Sequence, residues 1–321
     1  MAAVSFQDIL ALKDKVNTEL SQRPWDPTVV SRDFVWYREG EGKRERFEMD
    51  VLGSDAGSYE EMEQVQASAA ELLEFQVVHE EFGMRPFKTI PKASKLGYVL
   101  VKLEENLPEV AAHSMRYYDP RVAAAMGLGQ SQICAFDGLT YFNTAHYINP
   151  NRQYLGTFPN LFTGNDGRLD RAGVIRGLNA LTQMKDFSGQ LLNMPGRRVI
   201  IVGNEADYAD AATIMNGEIT AKSIGNAAAS ESNSLRGRAD VILMPSLAKY
   251  DSDKAWYVGL VATDKHRPLC FSEVMKPTIM IEGLDINSHL AVTLNTTLYG
   301  WKSFAGVGYM YPQLLCKFIK P

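Results

Sequence analysis

Residues 34–90 limit the fold more than any other part of this sequence, because they are highly charged and contain few continuous apolar runs. Burial of apolar surface is the main favourable contribution to folding, so a lone chain would gain little free energy from this stretch. A segment of this kind is more favourable when other molecules cover it. We therefore expect neighbouring subunits to cover residues 34–90.

The first part of this stretch has the pattern of a β-hairpin. The sequence FVWY is β-prone, and apolar residues alternate with charged ones over 46–51. Gly40 and Gly42 lie among charged residues between these two runs and supply a turn. The pattern predicts a hairpin over residues 34–51.

Residues 54–75 are rich in Ala, Glu and Leu, which predicts a surface helix, and residues 75–103 return to β-prone sequence in FQVVHEEF, FKTI and LGYVLVKL. Residues 105–129 predict a helix with Asn106 near its start, proline in its first turn, and glycines at its end. Pro120 predicts a break in this helix near the preceding residue, Asp119.

A short helix and a proline-containing stop precede the charged stretch. The helix is predicted over residues 5–20, with Ser5 as the N-cap. Its apolar stripe consists of Phe6, Ile9, Leu10, Val16 and Leu20. The two prolines in RPWDP cannot continue the helix. Residues 1–33 are therefore predicted to form an arm ahead of the body.

The remaining sequence predicts a mixed α+β order. Asp137-Gly138 joins two β-prone runs in ICAFDGLTYF and predicts a hairpin, residues 147–168 predict a loop, and residues 169–184 predict an amphipathic helix. RRVIIVG predicts a buried strand that leads into a helix capped by Asn204. Further strands are predicted in VILMP, WYVGLVA, CFSEVMKPTIMIEG and the alternating segments that follow.

Bulk composition is that of an ordinary globular chain, with 321 residues, 45% apolar and 22% charged. The net charge of −5 argues against a dedicated nucleic-acid binder, although weak contact with enclosed DNA is compatible with it. Cys134, Cys270 and Cys316 are far apart and form no CxxC pair, so we expect reduced, buried thiols. The sequence has no signal-peptide pattern and no long apolar run, which predicts a cytoplasmic product without membrane contact.

The strand-to-helix junction at VIIVGNEADYADA raises the possibility of nucleotide binding. A dinucleotide fingerprint requires three glycines, and here only Gly203 is present. Glu205 and Asp207 also lie where a phosphate would dock, and their carboxylates would repel it. We interpret this segment as a plain strand-to-helix connection.

No other group of residues has the spacing of a reactive site. Asp119, Asp137 and His146 match no ligand or acid–base motif, and the aromatic residues of GWKSF and GYMYPQLL are interpreted as packing anchors. The sequence contains no GxSxG, HExxH or Walker pattern. We therefore predict no catalytic residues, no cofactor and no metal, and a protein that is not an enzyme.

Several segments, taken in order, resemble a known family. They are ICAFDGLTYFNTAHYINP, RRVIIVGNEADYADAATIMNGEITA, GRADVILMPSLA, AWYVGLVATDKHRPLCF and GVGYMYPQLL. In this order the chain resembles the major head subunit T family of Mu-like phages and prophages, a branch of the Hong Kong 97-type capsid fold. The sequence departs from the family pattern where Tyr147, rather than proline, follows His146, and residues 34–90 match only in general character.

The resemblance implies an α+β capsid fold divided into five segments. These are an N-terminal arm (1–33), an extended loop (34–90), a peripheral domain with a spine helix (91–149), an axial domain (150–270) and the C-terminal strands of the peripheral domain (271–321). Because only 33 residues precede the predicted hairpin, we expect a separate scaffold protein instead of a fused one.

By the same resemblance we expect the major capsid protein of a tailed bacteriophage, which assembles into hexamers and pentamers of an icosahedral shell around the DNA genome. Its expected partners are itself, a scaffold, a portal, decoration proteins where present, and packaged DNA held weakly. We expect it in the virion, after assembly in the host cytoplasm. An encapsulin-like nanocompartment shell and a nucleotide-dependent enzyme built around residues 199–203 are the alternatives.

Overall fold

The computed structural model describes residues 6–22, 29–49, 74–84, 88–91, 96–133, 137–192, 194–224, 227–251, 254–262, 266–283 and 296–321. The helices within these ranges are α1 Phe6–Gln22, α2 Leu96–Met115, α3 Tyr118–Leu128, α4 Arg171–Gln183, α5 Glu205–Asn216 and α6 Ala248–Asp251. The strands are β1 Val35–Glu39, β2 Arg44–Glu48, β3 Glu74–Val78, β4 Glu80–Gly83, β5 Lys88–Pro91, β6 His146–Tyr147, β7 Thr157–Phe158, β8 Leu161–Phe162, β9 Arg197–Val202, β10 Ile219–Ile224, β11 Ala227–Ser232, β12 Asp240–Leu243, β13 Ala255–Val261, β14 Leu269–Glu282, β15 Thr296–Tyr309 and β16 Leu315–Ile319.

The first sheet is built around two long antiparallel strands, β14 and β15, which pair from Leu269 opposite Tyr309 to Glu282 opposite Leu298. Strand β1 adds in parallel to β14, and β4 and β5 both pair with β15. The β14–β15 register is irregular between Met275 and Thr278. This region contains Pro277, which has no backbone N–H to donate to the ladder.

Helices α1 and α2 lie against this sheet. The amide of Ile279 in β14 donates a hydrogen bond of 2.7 Å to Asn17 Oδ1 of α1. On α2, Val99, Leu103 and Leu107 are buried. Their four-residue spacing defines one helical face, which provides the core contact for the sheet. The helix predicted over residues 5–20 is confirmed as α1, while its predicted cap, Ser5, lies outside the described residues.

Two predictions for this region are wrong. LGYVLVKL belongs to α2 and is not a strand, because its buried residues recur every four positions and not every two. As a result, Asn106 lies in the middle of a helix, where its side-chain amide donates to the carbonyl oxygen of Lys102. Pro108 likewise lies inside α2 and not in a first turn. The helix does break, at residues 116–117, slightly before the predicted position, and Asp119 and Pro120 lie in the first turn of α3.

The predicted hairpin over residues 34–51 is also wrong. Strand β1 pairs with β14, more than 200 residues away in the sequence, while β2 pairs with β3, so that Phe47 lies opposite Phe75. Local alternation identified the strands correctly but could not identify their partners. The helix predicted over residues 54–75 falls almost entirely outside the described residues, and its last two positions belong to β3.

The β2–β3 hairpin packs on one face of β15. A Cβ atom on Gly306 would overlap the carbonyl oxygen of Val78, and one on Gly308 would lie 2.6 Å from Val77 Cγ2. Phe75 and Val77 are completely buried by this contact. The hairpin therefore buries one of its faces against its own chain. The expectation for residues 34–90 was that neighbouring subunits would cover them, and it did not include this contact.

The second sheet has the strand order β12-β9-β13-β16-β8. Strands β9 and β12 are parallel and are connected through α5, and all seven residues of β13 are buried. On one face, Gly177 of α4 packs against Val258 and Phe318. The strands predicted in RRVIIVG, VILMP and WYVGLVA and the helix predicted over residues 169–184 are confirmed.

Shorter elements lie between α3 and α4 in the sequence. The Asp137-Gly138 turn is confirmed in part, because Gly138 has a positive φ of 74° and Ile133 bridges Thr140, while residues 134–136 lie outside the described part. The loop predicted over residues 147–168 contains the two-residue strands β7 and β8 and two 3-10 turns.

The helical assignment of residues 96–103 predicts different effects for two neighbouring substitutions. In a strand, Val101 and Leu103 would share one face, whereas in α2 Leu103 is completely buried and Val101 is 48% exposed. We expect Leu103→Ala to lower the free energy of unfolding by about 2–5 kcal/mol because it leaves a cavity. We expect Val101→Ala to change it by less than about 0.5 kcal/mol. Denaturant unfolding measures both values, and equal losses would contradict the helix.

Candidate functional site

The junction between β9 and α5, considered above for nucleotide binding, is filled by internal polar contacts. Asn204 caps α5, as predicted, because its Oδ1 accepts a hydrogen bond of 2.8 Å from the amide of Asp207. Asp207 is buried, and Lys320 Nζ donates to both of its carboxylate oxygens, at 2.8 and 2.7 Å. A phosphate at this helix end would meet a carboxylate that is already paired. This geometry favours a plain connection at Gly203.

Asp137 and His146 form a completely buried pair. His146 Nδ1 lies 2.6 Å from Asp137 Oδ2, and Nε2 lies 2.9 Å from the carbonyl oxygen of Tyr141. The imidazole stacks on Phe158 with 5.4 Å between centroids, and Asn160 donates to the same Tyr141 carbonyl. Both ring nitrogens are thus engaged by internal partners. The pair is suited to hold a loop in place, and neither nitrogen points toward a solvent-filled cleft.

Asp119 is separate from this pair. Its two carboxylate oxygens accept hydrogen bonds from the backbone amides of Val30, at 3.1 Å, and Ser31, at 2.9 Å. Asp119 therefore attaches the chain that follows the arm to the start of α3. The three groups that sequence analysis considered as acid–base candidates do not form one site.

Cys270 and Cys316 are buried free thiols, and burial raises the pKa of Cys316 to about 12. Burial also raises the pKa of Cys270 well above its usual range. Both thiols are therefore unreactive at neutral pH. The expectation of reduced, buried thiols is confirmed for these two, and Cys134 lies outside the described residues.

Two buried polar clusters were not predicted from the sequence. In the first, Lys317 Nζ lies 2.6 Å from Asp251 Oδ1, and the hydroxyl of Tyr257 donates to the other oxygen. Burial lowers the pKa of Lys317 and raises that of Asp251, while their ion pair opposes both changes. A lysine inside the apolar run LLCKFI was the available signal for a buried cation.

The second cluster surrounds Glu273 of β14, which is buried beneath the aromatic side chains at the α2–α3 break. The hydroxyls of Tyr117 and Tyr118 both donate to its Oε1. Burial raises the pKa of the Glu273 carboxyl, and these two hydrogen bonds oppose the change. A glutamate in an alternating strand is normally interpreted as facing solvent, so this cluster could not be predicted from local sequence.

A groove of about 580 Å³ lies between α4 and the segment containing β7 and β8. Its lining combines apolar side chains such as Phe158, Phe162 and Ile175 with polar ones that include Arg176 and Lys185. Among the described residues, no group of three or more histidine, cysteine or carboxylate side chains has the geometry of a metal site. The groove therefore offers a mixed contact surface, and its described lining shows no such cluster.

The described surface presents features suited to protein contact. Ile133, Tyr154 and Leu191 are 70%, 80% and 61% exposed, although each has a large apolar side chain. On the β2–β3 hairpin, Lys43 and Arg44 are exposed, and Arg46 pairs only loosely with Glu74, at 3.7 Å. None of the described helices has the length and apolar character needed to cross a membrane.

No protein-family model and no curated protein matches this sequence. Solved structures do match. The capsid structure of the Cyanophage P-SCSP1u has a TM-score of 0.51 at 10% identity, with 93% of this chain and 90% of that chain covered. A structure of Microbacterium phage Oxtober96 has a TM-score of 0.50 at 8% identity, with coverages of 94% and 93%.

The chain has a Hong Kong 97-type phage capsid fold. The predicted α+β capsid fold is thereby confirmed, and it extends over nearly the whole chain. The holo-SrpI encapsulin complex from Synechococcus elongatus PCC 7942 is also similar, with a TM-score of 0.44 at 9% identity and coverages of 92% and 88%. The assignment rests on the two phage structures.

The occupied end of α5 predicts that the chain does not respond to nucleotides. We expect neither NAD nor ATP at millimolar concentration to raise the melting temperature of the full chain, because Asp207 repels phosphate and is already paired with Lys320. Thermal-shift measurement checks this. A saturable shift that disappears in Gly203→Val would contradict it.

Proposed function

We propose that this chain is the major capsid protein of a tailed bacteriophage, which self-assembles into hexamers and pentamers of an icosahedral shell around the DNA genome. The observation that carries the proposal is the likeness in fold to the capsid of the Cyanophage P-SCSP1u over almost the full length of both chains. A fold alone does not determine function. The surface of this chain supplies the additional argument.

That surface favours self-association. Large exposed apolar side chains at Ile133, Tyr154 and Leu191 lose contact with water when a neighbouring subunit covers them. The exposed cations of the hairpin provide charges that can set the register of such a contact. Closed rings of identical subunits use interfaces of this kind.

At a finer level, we propose membership of the Mu-like major head subunit T family. The ordered motifs from ICAFDGLTYF to GVGYMYPQLL support this assignment. The corresponding division of the chain is an arm (1–33), an extended loop (34–90), a peripheral domain (91–149 and 271–321) and an axial domain (150–270). Strand β16, which this division assigns to the peripheral domain, pairs with β13 and β8 in the sheet of residues 150–270.

The partners that follow from this function are other copies of the chain, a separate scaffold, a portal, decoration proteins where present, and packaged DNA in weak contact. The expected location is the virion, after assembly in the host cytoplasm. The role requires no catalysis, and the internally paired Asp137, Asp207 and Asp251 are consistent with a structural protein.

The state of assembly tests the function directly. We expect the chain, expressed with its scaffold, to sediment as capsomers or as shells of megadalton mass that enclose DNA when packaging proteins are present. Electron microscopy and analytical sedimentation measure this. A monodisperse monomer under these conditions would contradict the proposal, and particles that instead hold a specific protein cargo would favour the nanocompartment alternative.

The exposed cations of the hairpin give a more local prediction. We expect the combined reversal of Lys43, Arg44 and Arg46 to Glu to leave the subunit folded, because exposed charges contribute little to stability. Assembly should fail or become strongly salt-dependent, because complementary interface charges are lost. Circular dichroism melting and electron microscopy measure the two effects.

The matched control conserves charge at the same positions, with Lys43→Arg, Arg44→Lys and Arg46→Lys. This variant should assemble normally. Normal shells from the charge-reversed variant would show that the hairpin cations do not form an interface.

A further inference from the structure

Two chain connections meet at the root of the β2–β3 hairpin. Residues 40–43 connect β1 to β2, and His79 alone connects β3 to β4. The two connections are joined by a hydrogen bond of 2.9 Å from the amide of His79 to the carbonyl oxygen of Lys43. The amide of Gly40 donates to the carbonyl oxygen of Glu273 in β14, at 3.0 Å. Movement of the hairpin relative to the sheet must therefore pass through this root.

The imidazole of His79 is enclosed at this root. It is 1% exposed, and neither ring nitrogen completes a well-aligned hydrogen bond to the residues that the structure describes, although the backbone groups of Gly42 and Lys43 lie near the ring. A Cβ atom on Gly40 would lie 2.9 Å from His79 Nε2 and 2.5 Å from Ser272 Oγ, so the Gly40 backbone closes over both polar groups. Phe304 lies on another side, with 5.8 Å between ring centroids.

An enclosed imidazole without well-aligned partners stabilises the docked hairpin best while it is neutral. A buried ionised group without sufficient compensation carries a large desolvation cost. Glu45 Oε1, the carboxylate oxygen near the same point, already accepts hydrogen bonds from the amides of Glu41 and Gly42. It is therefore only partly available to compensate an imidazolium.

We propose that His79 is a pH-sensitive latch, whose neutral imidazole keeps the β2–β3 hairpin docked on the glycine face of β15 and whose protonation releases it. The glycine face is the side of β15 that carries Gly306 and Gly308. This inference concerns the single chain and does not depend on the proposed function. It predicts a defined acid-induced movement of one element, while the rest of the fold is retained.

The surrounding groups determine the direction of the response. Burial lowers the pKa of His79. The Glu45 carboxylate from β2 and the backbone groups of Gly42 and Lys43 raise it by smaller amounts, and Arg38 from β1 lowers it further. The other groups that face the ring, Ser272 and Phe304, carry no charge. A lowered pKa in the docked state means that the undocked state binds the proton more readily. The contribution of His79 to docking is therefore fully present above pH ~6.5, the ordinary pKa of histidine. This contribution is lost as pH falls through the lower pKa that His79 has in the docked state.

Backbone amide exchange of the full-length chain, corrected for the intrinsic effect of pH, measures the release. Between pH 7.5 and pH 5 we expect exchange of β2 and β3 to rise by roughly three- to tenfold, as a linked protonation would produce. Strand β13, in the other sheet, should not change. The exposed His113 supplies the matched control, and His113→Gln should behave as the natural chain does.

In His79→Phe, which cannot be protonated and can still pack on Phe304, the acid-induced rise should disappear. An equal rise in this variant, or a rise that includes β13, would overturn the latch. A second variant keeps the test decisive if His79→Phe does not fold. Removal of the attracting carboxylate in Glu45→Gln lowers the docked-state pKa of His79 further, so it should enlarge the acid-induced rise, and an unchanged rise would count against His79.

Discussion

Close approach of two backbones at Gly306 and Gly308 determines where the charged hairpin lies. Any larger residue at position 306 would collide with the carbonyl oxygen of Val78, and a side chain at position 308 would displace Val77. Only a glycine face lets Phe75 and Val77 reach the sheet and become buried. Because β15 is also the central partner of β14, β4 and β5, the position of the hairpin depends on the same strand that organises the first sheet.

Internal pairing accounts for three acidic side chains that are largely buried. Asp207 is held by Lys320, and Asp137 by His146. Asp251 is held in the same way by Lys317. Removal of one partner from such a buried pair leaves an uncompensated charge, which is why these groups bind each other and not a ligand. Two of these three partners, Lys317 and Lys320, come from the last five residues of the chain, so the C-terminus completes the second sheet electrostatically as well as through β16.

The sequence was most informative where structure is local. Helix α5 and its Asn204 cap followed from residues adjacent in the chain, and so did β9 and β13. The partner of β1 did not, because strand pairing depends on residues far away in the sequence. LGYVLVKL was predicted as a strand from its branched residues, but packing of one helical face on the sheet outweighed that propensity. The environments of Glu273 and Lys317 could not be predicted, because each depends on side chains contributed by distant segments.

The energetic scale of the hairpin explains why a single titratable group can govern its position. Full burial of a side chain such as Phe75 or Val77 contributes about 1.5–3 kcal/mol. Fixing the backbone of each ordered residue costs about 1–2 kcal/mol, so the net stability of the docked hairpin is much smaller than the gross contact energy. The strands β14 and β15 pair with each other over most of their length, so their net stability is not small in the same way. A contribution of one or two kcal/mol at the root, from a proton or from a neighbouring subunit, is therefore sufficient to move the hairpin while the sheet beneath it stays intact.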